Sequence, residues 1–284
     1  MRKYQIHIFI SLIIGLNSCE RVNYFPDNPI VNNNTLFLAH KGGGTFENAN
    51  TLEGCMYGLE LLDGIECDIQ KSSNKTLWLS HSPLIPSCGS FEESCFPEIS
   101  DNTIIQMDSC LGVEKNYTQL ESVFQYMSNN YSDKFISLDV KAWKPCKISG
   151  VNMIREMNIL AQKIIDLTKK YHLENNVMVE SENGDFLYYI KTNTNFIETY
   201  LSTFGDFEMG VTRALGAEFS GISFDYTYKQ NITKELVDLI HRKGLKIQLW
   251  TVNDTNDIKD ALLLNPDFIQ TDFVEYRELR RRIQ

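Results

Sequence analysis

Short apolar runs alternate with amphipathic stretches from Thr35 onward. Runs at 35–39, 64–69, 135–140, 177–180, 199–203, 220–224, 246–250 and 267–270 predict strands, each short and bounded by polar residues. Stretches near 51–62, 118–129, 151–171, 184–193, 206–215, 233–243 and 255–264 predict helices, with 274–282 last. The stretch at 233–243 carries its own punctuation: Thr233 as cap, Leu236 and Ile240 as apolar stripe, Gly244 as stop. Eight strand–helix pairs in strict alternation predict an α/β fold, a (β/α)8 TIM barrel over residues 35–284. A doubly wound open sheet would alternate in the same way, but no Gly-x-Gly-x-x-Gly follows the first strand.

A ninth extended run, Thr76 to Ser80, follows the second strand after only Lys71 to Lys75. A parallel crossover needs a dozen or more residues, so this run must fold back antiparallel. A turn around Ser73 and Asn74 then sets His81 roughly level with Glu66. Residues 82–117, with Pro83, Pro86 and Pro97, predict a long irregular insertion.

The amino terminus reads as an address. Arg2 and Lys3 precede an apolar run from Ile8 to Leu16, too short to cross a ~30 Å hydrocarbon core. Leu16-Asn17-Ser18-Cys19 resembles the lipobox of bacterial lipoproteins, which implies a signal over 1–18, a diacylglycerol on Cys19 and a tether over 19–34. The expected product is an exported lipoprotein anchored to a membrane, and loss of residues 1–18 takes the formal charge from −10 to −12. Such an acidic chain has no electrostatic footprint for nucleic acid. Six cysteines remain after Cys19. An exported protein tolerates disulfides; Cys88 and Cys95 are the expected pair, and Cys67, inside a strand, is expected as a buried thiol.

Candidate chemistry gathers at the carboxyl ends of strands, the catalytic face of a barrel. His40 and Lys41 end the first strand and open Gly42-Gly43-Gly44, where backbone can approach a ligand closely. Glu66 and Asp68, two apart on the second strand, face the same way. Two buried carboxylates repel each other and lose hydration, costs that a hard divalent cation, Ca²⁺ or Mg²⁺, relieves. Asp139 and Lys141 repeat the spacing on the next barrel strand, offering a third ligand and a cation for a phosphate oxygen. His40 and His81 are the strand-end histidines, suited to acid–base work near neutral pH. Trp250 either packs on a ligand or belongs to the barrel core.

Taken in order, His40-Lys41-Gly42, Glu47-Asn48, Glu66-Cys67-Asp68, His81, Asp139-Val140-Lys141, Trp250-Thr251-Val252-Asn253 and Thr271-Asp272 resemble the glycerophosphodiester phosphodiesterase family. The resemblance implies His40 and His81 as acid and base and Glu66, Asp68 and Asp139 as metal ligands. It also implies Lys41 at the phosphate and Glu47 close to the site. The substrate would be a small phosphodiester, split to an alcohol and sn-glycerol 3-phosphate by way of a cyclic phosphate or by direct water attack. Lys41 stands where the family usually has Arg, Ser82 replaces the usual Asp after the second His, Asp139 replaces Glu, and two residues are inserted before Thr51. Asp139-x-Lys141, Trp250 and the Cys88/Cys95 loop also resemble sphingomyelinase D-type phospholipases, which implies a lysolipid or sphingomyelin substrate. A surface binding protein on a degenerate barrel is the non-enzymatic alternative.

Overall fold

The computed structural model describes residues 34–43, 49–112, 117–141, 146 and 150–273. The expected signal, tether and lipidated Cys19, together with Glu47 and the helix at 274–282, lie outside them. The strands are β1 (Leu36–Ala39), β2 (Gly64–Lys71), β3 (Leu77–Leu79), β4 (Leu84–Ile85), β5 (Ser94–Cys95), β6 (Phe135–Asp139), β7 (Val177–Ser181), β8 (Glu198–Thr203), β9 (Gly221–Asp225), β10 (Lys246–Trp250) and β11 (Phe268–Thr271). The helices are α1 (Leu52–Leu61), α2 (Asp101–Leu111), α3 (Leu120–Asn130), α4 (Gly150–Lys170), α5 (Gly184–Asn193), α6 (Phe207–Gly216), α7 (Lys234–Arg242) and α8 (Thr255–Leu264).

Strand β1 pairs in parallel with both β2 and β11, and β6 through β11 pair in sequence, so eight parallel strands close into a barrel. Alternation along β2 shows how sequence sorts the two faces. Ile65, Cys67 and Ile69 are fully buried on one face, and Cys67 meets Cys55 of α1 with the sulfurs 3.5 Å apart. Glu66 and Asp68 point the other way, into the barrel mouth. Toward the amino ends of the strands the interior is apolar, filled by Leu38, Met178, Tyr200 and Phe268. Helix α1 can lie this close to the β1 turn only because Gly58 has no side chain, since a Cβ there would stand 1.9 Å from the Gly42 carbonyl.

The ninth run folds back as expected. β3 pairs antiparallel with β2, joining Ile69 to Leu79 and Lys71 to Leu77, around a turn in which Ser72 N–H donates to Thr76 O. Ser80 N–H then donates to Asp68 O at 3.0 Å, which carries the chain back to the mouth at His81.

Two expectations need correction. The insertion is not irregular: it holds the β4–β5 hairpin, helix α2 and a small core of Trp78, Ile85, Phe96, Ile104 and Met107. Ser100 caps α2 through Thr103 N–H, and Ile104, Met107 and Leu111 recur at helical spacing, a signal present in the sequence. Cys88 does not bond Cys95. The pairs are Cys88–Cys110, within the insertion, and Cys95–Cys146, which ties it to the segment after β6. Proximity in sequence failed because α2 brings Cys110 back beside Cys88. Cys67 is a buried free thiol as expected, as is Cys55.

Candidate active site

Strand β1 delivers His40 to the mouth, where its backbone N–H donates to Thr271 O on β11 at 2.9 Å. The chain then turns sharply, with positive φ at Lys41 (54°) and Gly42 (84°). Left-handed backbone at a lysine costs about 1 kcal/mol, and here it aims two amides at β2. Lys41 N–H donates to Glu66 Oε2 at 2.8 Å, and Gly42 N–H donates to Glu66 O at 2.7 Å. The turn that presents the histidine thus also fixes the Glu66 carboxylate.

Asp68 and Asp139 are register partners on β2 and β6. One oxygen from each of Glu66, Asp68 and Asp139 falls within 4.8 Å of the others. Burial pushes Glu66 well above the usual carboxylate range, aided by the charges of Asp68, Glu180 and Asp139. Asp139 is pushed up to about 8 by burial and by Glu180 and Asp68, against the opposing pull of Lys141. Asp68 behaves oppositely: burial would raise it, but the Lys141 ammonium, His81 and hydrogen bonds from Lys141 and Asn50 bring it below its ordinary value. Lys141 Nζ lies 2.6 Å from Asp68 and 2.5 Å from Asp139, and these neighbours outweigh burial and raise its pKa. An ammonium bridging two carboxylates marks a place built for positive charge. Three hard oxygen donors suit a divalent ion, so the donor set fits the cation expected from sequence.

The histidines flank this cluster. His40 Nδ1 is 2.6 Å from Asp272 Oδ1, and its Nε2 is 3.9 Å from Glu66 Oε2, so the outer ring nitrogen faces the carboxylates. Asp272 is itself held by Asn253, whose side-chain amide donates to Oδ2 at 2.6 Å. His40 and Lys41 bring Asp272 below its usual value although burial opposes them. His81 is exposed at the end of the hairpin, opposite Asp68, His40, Lys41 and Lys141. Partial burial lowers its pKa, Lys141, Lys41 and His40 lower it further, and Asp68 opposes. His81 lines a cavity of about 480 Å³ with Lys41, Asn50, Ser80 and Tyr117.

Trp250 stands half-buried at the end of β10, with Phe204 edge-on to it at 5.4 Å. Its Nε1 is buried with no partner among the described residues.

Two supporting residues, Asn50 and Glu180, are not singled out by the sequence, and neither is the partner of a third, Asp272. Asn50 clasps Asp68, donating to Oδ2 at 2.9 Å and accepting from Asp68 N–H at 3.0 Å. The two-residue insertion before Thr51 obscured this amide. Asp272 was noted as part of a motif, but its contact with His40 spans 232 residues and is invisible locally. Glu180, an acid in the otherwise apolar Val177-Met178-Val179, was overlooked although period two points it into the barrel.

The model of the glycerophosphoryl diester phosphodiesterase family matches residues 40–276. A glycerophosphodiester phosphodiesterase of Caldanaerobacter subterraneus is 23% identical over 84% of this chain and 94% of its own length. An Arabidopsis thaliana glycerophosphodiester phosphodiesterase is 23% identical over 83% of this chain and 70% of its own length. Among solved structures, a glycerophosphodiester phosphodiesterase from Parabacteroides distasonis superposes with a TM-score of 0.74 at 17% identity, covering 89% of this chain and 99% of that one. A phosphodiesterase from Oleispira antarctica, in complex with the product sn-glycerol-3-phosphate, gives 0.69 at 16% identity, covering 87% and 96%. At these identities the structures speak for the fold.

Proposed function

The chain belongs to the glycerophosphoryl diester phosphodiesterase family, and on that premise we propose that it splits a water-soluble glycerophosphodiester into an alcohol and sn-glycerol 3-phosphate, with His81 as base and His40 as acid. The observation that carries this reading is the convergence of Glu66, Asp68 and Asp139 within 4.8 Å, with the His40 ring nitrogen 3.9 Å from Glu66.

Glu66, Asp68 and Asp139 would hold one divalent cation, Ca²⁺ or Mg²⁺. Bound there, it supplies Lewis-acid charge to the non-bridging phosphoryl oxygens. Lys141, already against Asp68 and Asp139, adds a fixed positive charge at the same oxygens, and Lys41, which lines the cavity beside His81, adds a second. His81 is suited to take a proton because its lowered pKa keeps the imidazole neutral at neutral pH. The proton comes from the substrate's neighbouring hydroxyl. That oxygen then bonds to phosphorus, the bond to the departing alcohol breaks, and His40 protonates the alcohol oxygen. Water opens the cyclic phosphate by the reverse use of the pair. Asp272 orients the His40 ring, while Asn253 fixes Asp272. Each histidine proton transfer contributes about 10²–10⁴-fold.

Glycerophosphocholine, glycerophosphoethanolamine and glycerophosphoglycerol, assayed with EDTA and then with Ca²⁺ or Mg²⁺ restored, test the reading. Turnover lost to EDTA and regained with the ion is the expected result, and undiminished turnover in EDTA would remove the metal. Phe204, 49% exposed against Trp250, favours a second reading in which a lysophospholipid lays its acyl chain there. Lysophosphatidylcholine and sphingomyelin therefore belong in the panel.

Residues 1–18 are read as an export signal and Cys19 as a lipid-bearing cysteine. Two disulfides in the barrel unit support this, because such bonds persist in oxidising compartments. Metabolic labelling with a fatty acid should mark the parent chain and not Cys19→Ser; equal labelling of both would refute the anchor.

A further inference from the structure

Beneath the acidic cluster the barrel interior is polar. Glu180 on β7 is a register partner of Asp139 on β6, which is a partner of Asp68 on β2, so three acids stand in one row across adjacent strands. The Glu180 side chain is 3% exposed. Its Oε1 accepts from Ser137 Oγ at 2.9 Å and from Gln270 Nε2 at 2.6 Å, and its Oε2 accepts from Ser223 Oγ. Gln248 Nε2 donates to Ser223 Oγ at 3.1 Å and reaches Ser137 Oγ at 3.5 Å. A hydroxyl has one proton. Gln270 Nε2 and the two serine hydroxyls are thus all placed to donate to Glu180, as they would to a carboxylate, while Gln248 Oε1 is buried without a partner among the described residues.

No ion pair joins Glu180 to a cation among the described residues. A buried anion without a partner charge is costly, and neutral donors relieve only part of that cost. The nearest place where positive charge is called for is the cluster of Glu66, Asp68 and Asp139, whose members already feel Glu180.

We propose that Glu180 is a positioning residue that binds no metal itself and instead acts through the field it sets behind Glu66, Asp68 and Asp139, strengthening their hold on a divalent ion. The proposal rests on the metal site described above. It also accounts for an acid placed in an otherwise apolar strand, held by a dedicated set of serines and glutamines.

The test is calcium binding by calorimetry and by calcium-dependent thermal shift, on the parent, Glu180→Gln, Glu180→Asp and Ser223→Ala. Outer groups that hydrogen-bond to metal ligands alter metal affinity by about 10–100-fold, and a charge one strand behind them belongs at the lower end of that range. Glu180→Gln should therefore weaken calcium binding by about 10-fold or more, with an apo melting temperature equal to or above the parent's because repulsion has been removed. Glu180→Asp and Ser223→Ala keep the charge and should each lose clearly less affinity than Glu180→Gln. A purely structural role would give the reverse: a lower apo melting temperature in Glu180→Gln with calcium affinity unchanged. That result overturns the inference while leaving the metal site standing, whereas a parent that binds no calcium or magnesium overturns both. Should Glu180→Gln fail to fold, Ser223→Ala carries the test, since a 10-fold loss of affinity with the charge in place would refute a role for charge.

Discussion

Along the rim from β11 through β1 and β2 to β6, the mouth is lined by groups that carry or move charge: Asp272, His40 and Lys41, Asp68, then Asp139 and Lys141. Farther round the mouth, beyond β11, Trp250 ends β10 and Phe204 follows β8, packed edge to face, with Tyr228 beside Gly205. The charged side is over-determined. Glu66, Asp68 and Asp272 each accept hydrogen bonds from residues distant in sequence. On the aromatic side Phe204 is 49% exposed and the Trp250 Nε1 is unpartnered among the described residues. Geometry held this tightly suits chemistry, and an open apolar surface suits the recognition of whatever alcohol or chain the phosphate carries.

Substitutions on the two sides should therefore act on different kinetic quantities. The largest effect is expected at the histidines. His40→Ala and His81→Ala should each lower kcat by about 10²–10⁴-fold with an unchanged melting temperature, and near-normal turnover in either would remove that residue from the chemistry. Asp272→Asn leaves His40 in place but takes away the charge that orients it. The expected loss is on the order of 10²-fold, mostly in kcat, and a change confined to KM would contradict the assignment.

Metal affinity should depend on pH with a definite sign. Without metal, Asp139 is pushed up to about 8 and Glu66 is raised as well, so below that pH protons compete with the ion for the same oxygens. Calcium binding followed across about pH 6 to 9 should tighten as pH rises and then level off, with protons released on binding. The acid limb of kcat/KM should fall below the ordinary imidazole value, because burial and cationic neighbours lower His81. The smallest effect belongs to the aromatic side. Trp250→Ala should raise KM by about 10-fold, equivalent to ~1.4 kcal/mol, with kcat nearly kept. An equal fall in kcat would mean that the two sides are not separable.

The same contrast governs how much was legible in the sequence. Strand and helix positions from β6 to β11 match their periodicity closely, because each unit is local and its pattern is set by one buried face. Glu66, Asp68, Asp139 and both histidines were legible because period-two spacing and strand ends place them without knowledge of the rest. Asp272, Asn50 and the Glu180 network were not, since each contact joins segments that meet only after the barrel closes. The disulfides failed for the same reason, and α2 failed because the prolines around it outweighed a helical pattern that was present.

The two disulfides have a mechanical consequence. Cys88–Cys110 closes the insertion on itself and Cys95–Cys146 bolts it to the segment that follows Lys141. A flap with a single attachment could swing, but this one is anchored at the β2–β3 hairpin and again beyond β6, so it is a fixed wall along one side of the mouth. Ser82, Leu84, Pro86 and Tyr117 give that wall its face toward His81 and Lys41, so whatever occupies the cavity leans on a surface that stays put.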